Sequence, residues 1–233
     1  MKAIANTSLL ALGLVIASFA SRTEVHSQNA KSSAEKDPSL EPITDDAKLP
    51  RVLLIGDSIS MGYTIPVRNL LKGKANVHRI PENGGPTTNG LAQLKSWLGK
   101  GKWDVIHFNW GLHDLKIMSN GEHQVSPEDY DKNLRQLVAQ LKATGATLIW
   151  ATTTPVPEHV KGVLRHPEDV PLYNGIALQI MKANGVIIDD LYGFALPQLS
   201  KIQKPQNVHY TDEGSETLAK KVATNIEAGL PKK

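Results

Sequence analysis

Four short stretches of this 233-residue chain carry residue types that do chemistry where a strand gives way to a loop. The first is Leu53 to Thr64, LLIGDSISMGYT, in which an apolar run ends in Gly-Asp-Ser. At a strand-to-helix turn the Ser58 hydroxyl would face backbone N–H groups that lack intrahelical partners. A helix N-terminus also favours developing negative charge. That setting suits a serine attacking a carbonyl, with its own N–H as one oxyanion donor. Taken alone, Ser58 is more simply a helix cap. The stretch is not a Gly-x-Ser-x-Gly elbow, because Ser60 stands at the second glycine. Nor is it a phosphate-binding loop, since no Gly-Lys-Ser/Thr comes after it.

A serine nucleophile needs a base within hydrogen-bond reach. His209, in NVHYTDEG near the C-terminus, is the candidate. A histidine just before a helix N-terminus is biased toward the neutral form that a base requires. Taken alone, it is as readily a capping or packing residue. In NGGPTT, Gly84 and Gly85 allow close backbone approach. In NWGLHDL, Asn109, Trp110, Gly111, His113 and Asp114 directly follow a buried strand, where a donor side chain completes an oxyanion hole. Asp57, Asn109 and Trp110 are candidate substrate contacts. Trp110, Trp150 and Tyr63 flank the expected rim, for stacking or for core packing. His107 lies inside a strand and reads as core. His159 and His166 belong to no tight ligand motif, so no metal and no cofactor is expected.

The elements that must position these residues can be read from hydrophobic pattern. RVLLIGD, WDVIHFNW and ATLIWATTT are continuous apolar runs, as strands buried on both faces require. NVHRI and VIID are shorter strands. A helix is expected from about Ser60 to Leu71, disturbed by Pro66. Leu91, Leu94, Trp97 and Leu98 share one helix face. Ser126-Pro127-Glu128-Asp129 starts another helix, and Gly145 ends it. Ile176, Ile180 and Met181 mark a fourth, and Thr211 caps the last. This alternation predicts an α/β fold: a five-stranded parallel sheet with helices on both faces. Ligands of such sheets bind beyond the carboxyl ends of the strands.

The blocks GDSIS, NGGPTT, GLHD and NVHYTDEG, in this order and over Leu49 to Lys233, resemble the SGNH (GDSL) hydrolases. The resemblance implies a three-layer flavodoxin-like fold and serine esterase or acylhydrolase activity. It makes Ser58 the nucleophile, Gly85 an oxyanion backbone donor with Gly84 as the fallback, and His209 the base. Two blocks depart from the family pattern. Gly-x-Asn-Asp reads Gly111-Leu112-His113-Asp114, so His113 replaces the amide as donor, or else binds substrate while Asn109 contributes. Asp-x-x-His has Gln206 in place of the aspartate. Either Ser58 and His209 act as a dyad, or another acceptor, the Gln206 side chain or a backbone carbonyl, orients the imidazole. Asp189 or Asp190 ends the fifth strand and caps the segment after it.

The chain is 40% hydrophobic, enough for one core, and contains no cysteine. Its formal net charge is +3 with no basic stripe, which argues against a nucleic-acid partner. Lys2, the apolar run Ser8 to Ala20 and Ser18-Phe19-Ala20 read as an export signal over residues 1–20. Residues 21–48 are polar and read as a flexible linker, with the domain at 49–233. The expectation is a secreted or periplasmic esterase without a membrane anchor after cleavage, acting on a small-molecule or polysaccharide ester, chiefly acetyl on carbohydrate. A catalytically weakened carbohydrate-binding protein and a lipid or thioester acylhydrolase are the alternatives. A flavin carrier fits the His209 block poorly.

Overall fold

The computed structural model describes residues 37–232, and the expected export signal and the first part of the expected linker lie outside the described residues. Five strands form one parallel sheet: β1 (Arg51–Ile55), β2 (Asn76–Arg79), β3 (Val105–Phe108), β4 (Thr147–Ala151) and β5 (Ile187–Asp189). Their order is β2-β1-β3-β4-β5, the doubly wound arrangement. The register sets Ile55 beside Phe108, Phe108 beside Trp150 and Ala151 beside Asp189, so the strands' carboxyl ends make one rim. β1, β3 and β4 are buried almost throughout, as their unbroken apolar runs predict.

The crossovers carry α1 (Ser58–Leu70), α2 (Thr87–Leu98), α3 (Pro127–Lys142) and α4 (Asp169–Ala183). From β1 the chain steps outward to β2, then returns past β1 and runs steadily to β5. Right-handed crossovers therefore put α1 on one face and α2, α3 and α4 on the other. The packing agrees, for α2, α3 and α4 touch in series. After β5 come two short helices that the sequence pattern did not reveal, α5 (Leu191–Ala195) and α6 (Leu199–Ile202). The long α7 (Asp212–Gly229) then packs on α1. Ser126 and Thr211 cap α3 and α7 through their hydroxyls, as expected. Pro66 sits inside α1, which runs on through it. Among the described residues no helix is long and apolar enough to cross a membrane.

The flexible linker is corrected over its described part. Asp37 caps a single turn at Pro38–Leu40, and Ser39 is buried. The Arg68 guanidinium donates to the Glu41 carbonyl at 3.1 Å. Asp46 and Asn76 exchange two hydrogen bonds at 2.9 Å each. This polar strap is ordered by hydrogen bonds to α1 and β2 rather than by apolar burial, a route that composition does not register.

Candidate active site

The turn after β1 settles what Ser58 is not. The cap of α1 is Asp57, whose Oδ1 accepts the Ile59 N–H at 2.9 Å. Asp57 is only 5% exposed and spends its carboxylate on the helix, which corrects its expected role as a substrate contact. Ser58 is the first residue of the helix, so its hydroxyl is free for other work. A buried arginine braces the turn: Arg79 Nη2 donates to the carbonyls of Gly56 and Asp57 and to Ser60 Oγ. Arg79 was not among the sequence candidates, since only the parallel pairing of β1 and β2 brings it there.

His209 is displayed on a tight reversal between α6 and α7, pinned by the Gln203–Tyr210 bridge. Its Nε2 lies 2.8 Å from Ser58 Oγ. Its Nδ1 lies 2.7 Å from Asn207 Oδ1, and its backbone N–H donates to the same oxygen at 3.0 Å. That second bond fixes the amide orientation, because a flipped amide would oppose two donors. Nδ1 therefore carries the proton and Nε2 presents its lone pair to the serine. The side chain that orients His209 is Asn207, which corrects the expectation of Gln206. The Asn207 N–H closes a turn onto the Lys204 carbonyl, with Gln206 left-handed at φ 54° and its carbonyl accepting from the Lys161 N–H. A two-residue offset is the natural reach of an asparagine side chain onto the backbone ahead of it.

The same cleft is lined by His113, from the loop after β3. Lys116 Nζ donates to its Nδ1 at 2.9 Å. An ammonium has no lone pair, so Nδ1 must accept and Nε2–H must be the donor. Burial pushes the His113 imidazole down to about 4, opposed by Asp57 and helped by Lys116 and Arg165. The ring stays neutral, with a fixed donor edge. His209 is also lowered, first by burial and then by Lys204 and Arg165, against the opposing pull of Asp57.

The other expected residues divide. The Gly85 N–H donates to Asn83 Oδ1 at 3.0 Å, and the Gly84 N–H donates to the Gly56 carbonyl at 2.9 Å. Gly85 has φ 61°, which explains a glycine there. Asn109 is corrected: its amide donates to the Ala151 carbonyl at 2.8 Å and ties β3 to β4. Trp110 is corrected too. It is 1% exposed, its ring lies 5.9 Å from that of Phe108, and it presents nothing to a ligand. Gly111, at φ 147°, turns the chain where any Cβ would strike Thr153. Asp114 accepts the N–H and hydroxyl of Thr87, serving as the missing cap of α2. Asp190 caps α5, while Asp189 lies in the core against His107 Nε2 at 3.0 Å. Ser58, His209, Asn207, His113, Lys116 and Arg165 line a cleft of about 400 Å³.

No family model matches the sequence, and no curated protein matches it. Solved structures do match. A lipase/acylhydrolase from Enterococcus faecalis aligns at a TM-score of 0.69 and 18% identity, over 79% of this chain and 98% of its own. An acetylxylan esterase from Geobacillus stearothermophilus aligns at 0.62 and 18% identity, over 78% and 95%. A protein from Slackia heliotrinireducens assigned as an SGNH hydrolase aligns at 0.59 and 21% identity, over 76% and 99%. The chain has the SGNH hydrolase fold. In this SGNH-type sheet the turn after β1 sits where strand order reverses, so Ser58 occupies the crevice where such sheets bind ligands.

Proposed function

We propose that this protein is an exported serine ester hydrolase that removes short acyl groups, chiefly acetyl, from carbohydrate. The observation that carries the reading is the 2.8 Å contact of Ser58 Oγ with a His209 Nε2 whose tautomer is fixed for accepting a proton. In the reaction, Ser58 Oγ attacks the ester carbonyl while Nε2 takes its proton. The Ser58 N–H and His113 Nε2–H stabilise the oxyanion, and the Gly85 N–H joins them as Asn83 Oδ1 gives way. His209 returns the proton to the leaving alcohol. Water, deprotonated by the same nitrogen, then releases the acid from the acyl-serine.

Support for acetyl esters comes from the modest size of the cleft, about 400 Å³, and from the acetylxylan esterase among the structural neighbours. The carbohydrate-binding alternative loses its stacking platform, because Trp110 is buried. The test is hydrolysis of p-nitrophenyl acetate and acetylated xylan by the protein and by Ser58→Ala and His209→Ala. Loss of roughly four or more powers of ten in both variants is expected. Equal rates in Ser58→Ala and the native protein would reject the reading.

A further inference from the structure

The cleft that Ser58 shares with His113 is lined by three cations, Lys116, Lys161 and Arg165, and among the described residues by no carboxylate; a smaller hollow that also includes Ser58 and His209 is lined by Asp212 and Lys204. Arg165 is the informative one. It is 8% exposed, yet its hydrogen bonds go only to backbone carbonyls, Leu112 at 2.8 Å and Val163 at 3.4 Å. Its Nη2 donates to nothing among the described residues, and it is not sealed from solvent. No ion pair of the described residues includes any of the three cations. Lys161 is exposed at the mouth, and Lys116 is held against His113. The carboxylate whose field reaches Arg165 is Asp57, and its Oδ1 is committed to the cap of α1.

Burying a guanidinium without a countercharge is costly. The fold sustains that cost at a residue that lines the same cleft as Ser58. Arginine's planar fork matches an oxoanion, and such charge-assisted bonds are about twice as strong as neutral ones. We infer that the ester's scaffold carries an oxoanion, a carboxylate or a sulfate, and that Arg165, with Lys161 at the mouth, anchors it while Ser58 attacks the neighbouring acyl group. The inference rests on the esterase reading and narrows its substrate to O-acylated acidic sugars.

The test uses matched pairs that differ in one charged group, with acetate release as the readout. One pair is an O-acetylated methyl glucuronoside and its carboxyl methyl ester; the other is an O-acetylated glucoside with and without a 6-sulfate. The charged member should be favoured at least about tenfold in kcat/KM, in the first pair for a carboxylate site and in the second for a sulfate site. The preference should shrink in about 1 M salt, fall toward one in Arg165→Met, and fall about two- to threefold in Lys161→Ala. Arg165→Lys keeps the charge but not the fork, and should retain only part of the preference. Hydrolysis without preference in either pair overturns the anion site and leaves the esterase standing. If no member is hydrolysed above the Ser58→Ala background, the esterase reading fails. Calorimetry on Ser58→Ala then decides the anion site: tighter binding of either charged member sustains it, and equal binding in both pairs rejects it.

Discussion

His209 and His113 line one cleft, both neutral and both gripped at Nδ1, yet with opposite tautomers. The partner of His209 is an amide oxygen, which can only accept, so the proton stays on Nδ1 and Nε2 is left basic. The partner of His113 is an ammonium, which can only donate, so Nε2 keeps the proton and becomes a donor. The same side chain thus presents an accepting nitrogen in one case and a donating N–H in the other. The difference is made by the neighbouring side chains, Asn207 and Lys116. The difference teaches that a catalytic histidine's role is written in the atom behind it.

Breaking the His209 side should have the larger effect. Asn207→Leu removes the acceptor at nearly constant volume, and kcat should fall by about 10² to 10⁴, since a mis-set tautomer in a serine triad costs about 10⁴. Gln206→Ala should change kcat less than about threefold. Comparable losses in both variants would return the role to Gln206. Asn207→Asp sharpens the contrast: a carboxylate favours the imidazolium, so the acid limb of kcat/KM should move up by about one unit or more. In the native protein that limb should lie below pH 6.5, because burial and the neighbouring cations lower His209. A limb above pH 6.5 would contradict the geometry.

The His113 side comes next. His113→Ala removes the proposed oxyanion donor and should cost about 10² to 10³ in kcat with little change in KM. His113→Asn, which restores a donor, should recover part of that. Lys116→Met leaves the ring but frees its tautomer, and a loss of about tenfold is expected. If Lys116→Met equals His113→Ala, the lysine itself acts on substrate.

The smallest effect concerns Asp114, one residue beyond His113. Burial pushes its carboxyl up to about 7 against the lowering effect of the Thr87 bonds, from an ordinary 3.8. The folded state therefore holds a proton that the unfolded state releases. This contribution to stability is complete below about pH 4 and is lost as the pH rises through 7. Denaturant titrations of the native protein and Asp114→Asn should show the native protein losing ground between pH 4 and 7. A constant difference would mean Asp114 is ionised throughout.

The sheet was legible because β1, β3 and β4 are buried on both faces and must be written as apolar runs. The capped starts of α3 and α7 were legible because capping is a local matter between residues three apart. Ser58 and His209 were legible as motif residues. Their supports were not. Choosing Gln206 assumed that a three-residue spacing carries over. The turn at Pro205 and Gln206 instead makes a two-residue Asn207 offset the productive one. Trp110 follows a strand directly and so looked like a rim residue, but the turn at Gly111 leaves it facing inward. Lys116 and Arg165 had no local signal, since what matters about each is a tertiary neighbour. The strap at Asp37 to Lys48 reads as linker because its order comes from single hydrogen bonds.

Ser58 and His209 are 151 residues apart in sequence. Their contact therefore closes a loop containing nearly the whole domain, and it forms only when the last helix has docked on the first. Long-range closures of this kind come at a late and entropically demanding stage of chain collapse. The four tryptophans, Trp97, Trp103, Trp110 and Trp150, are all buried and report on the packing of the core. In a refolding time course, ester turnover should lag tryptophan fluorescence, so that catalysis times the arrival of the C-terminus.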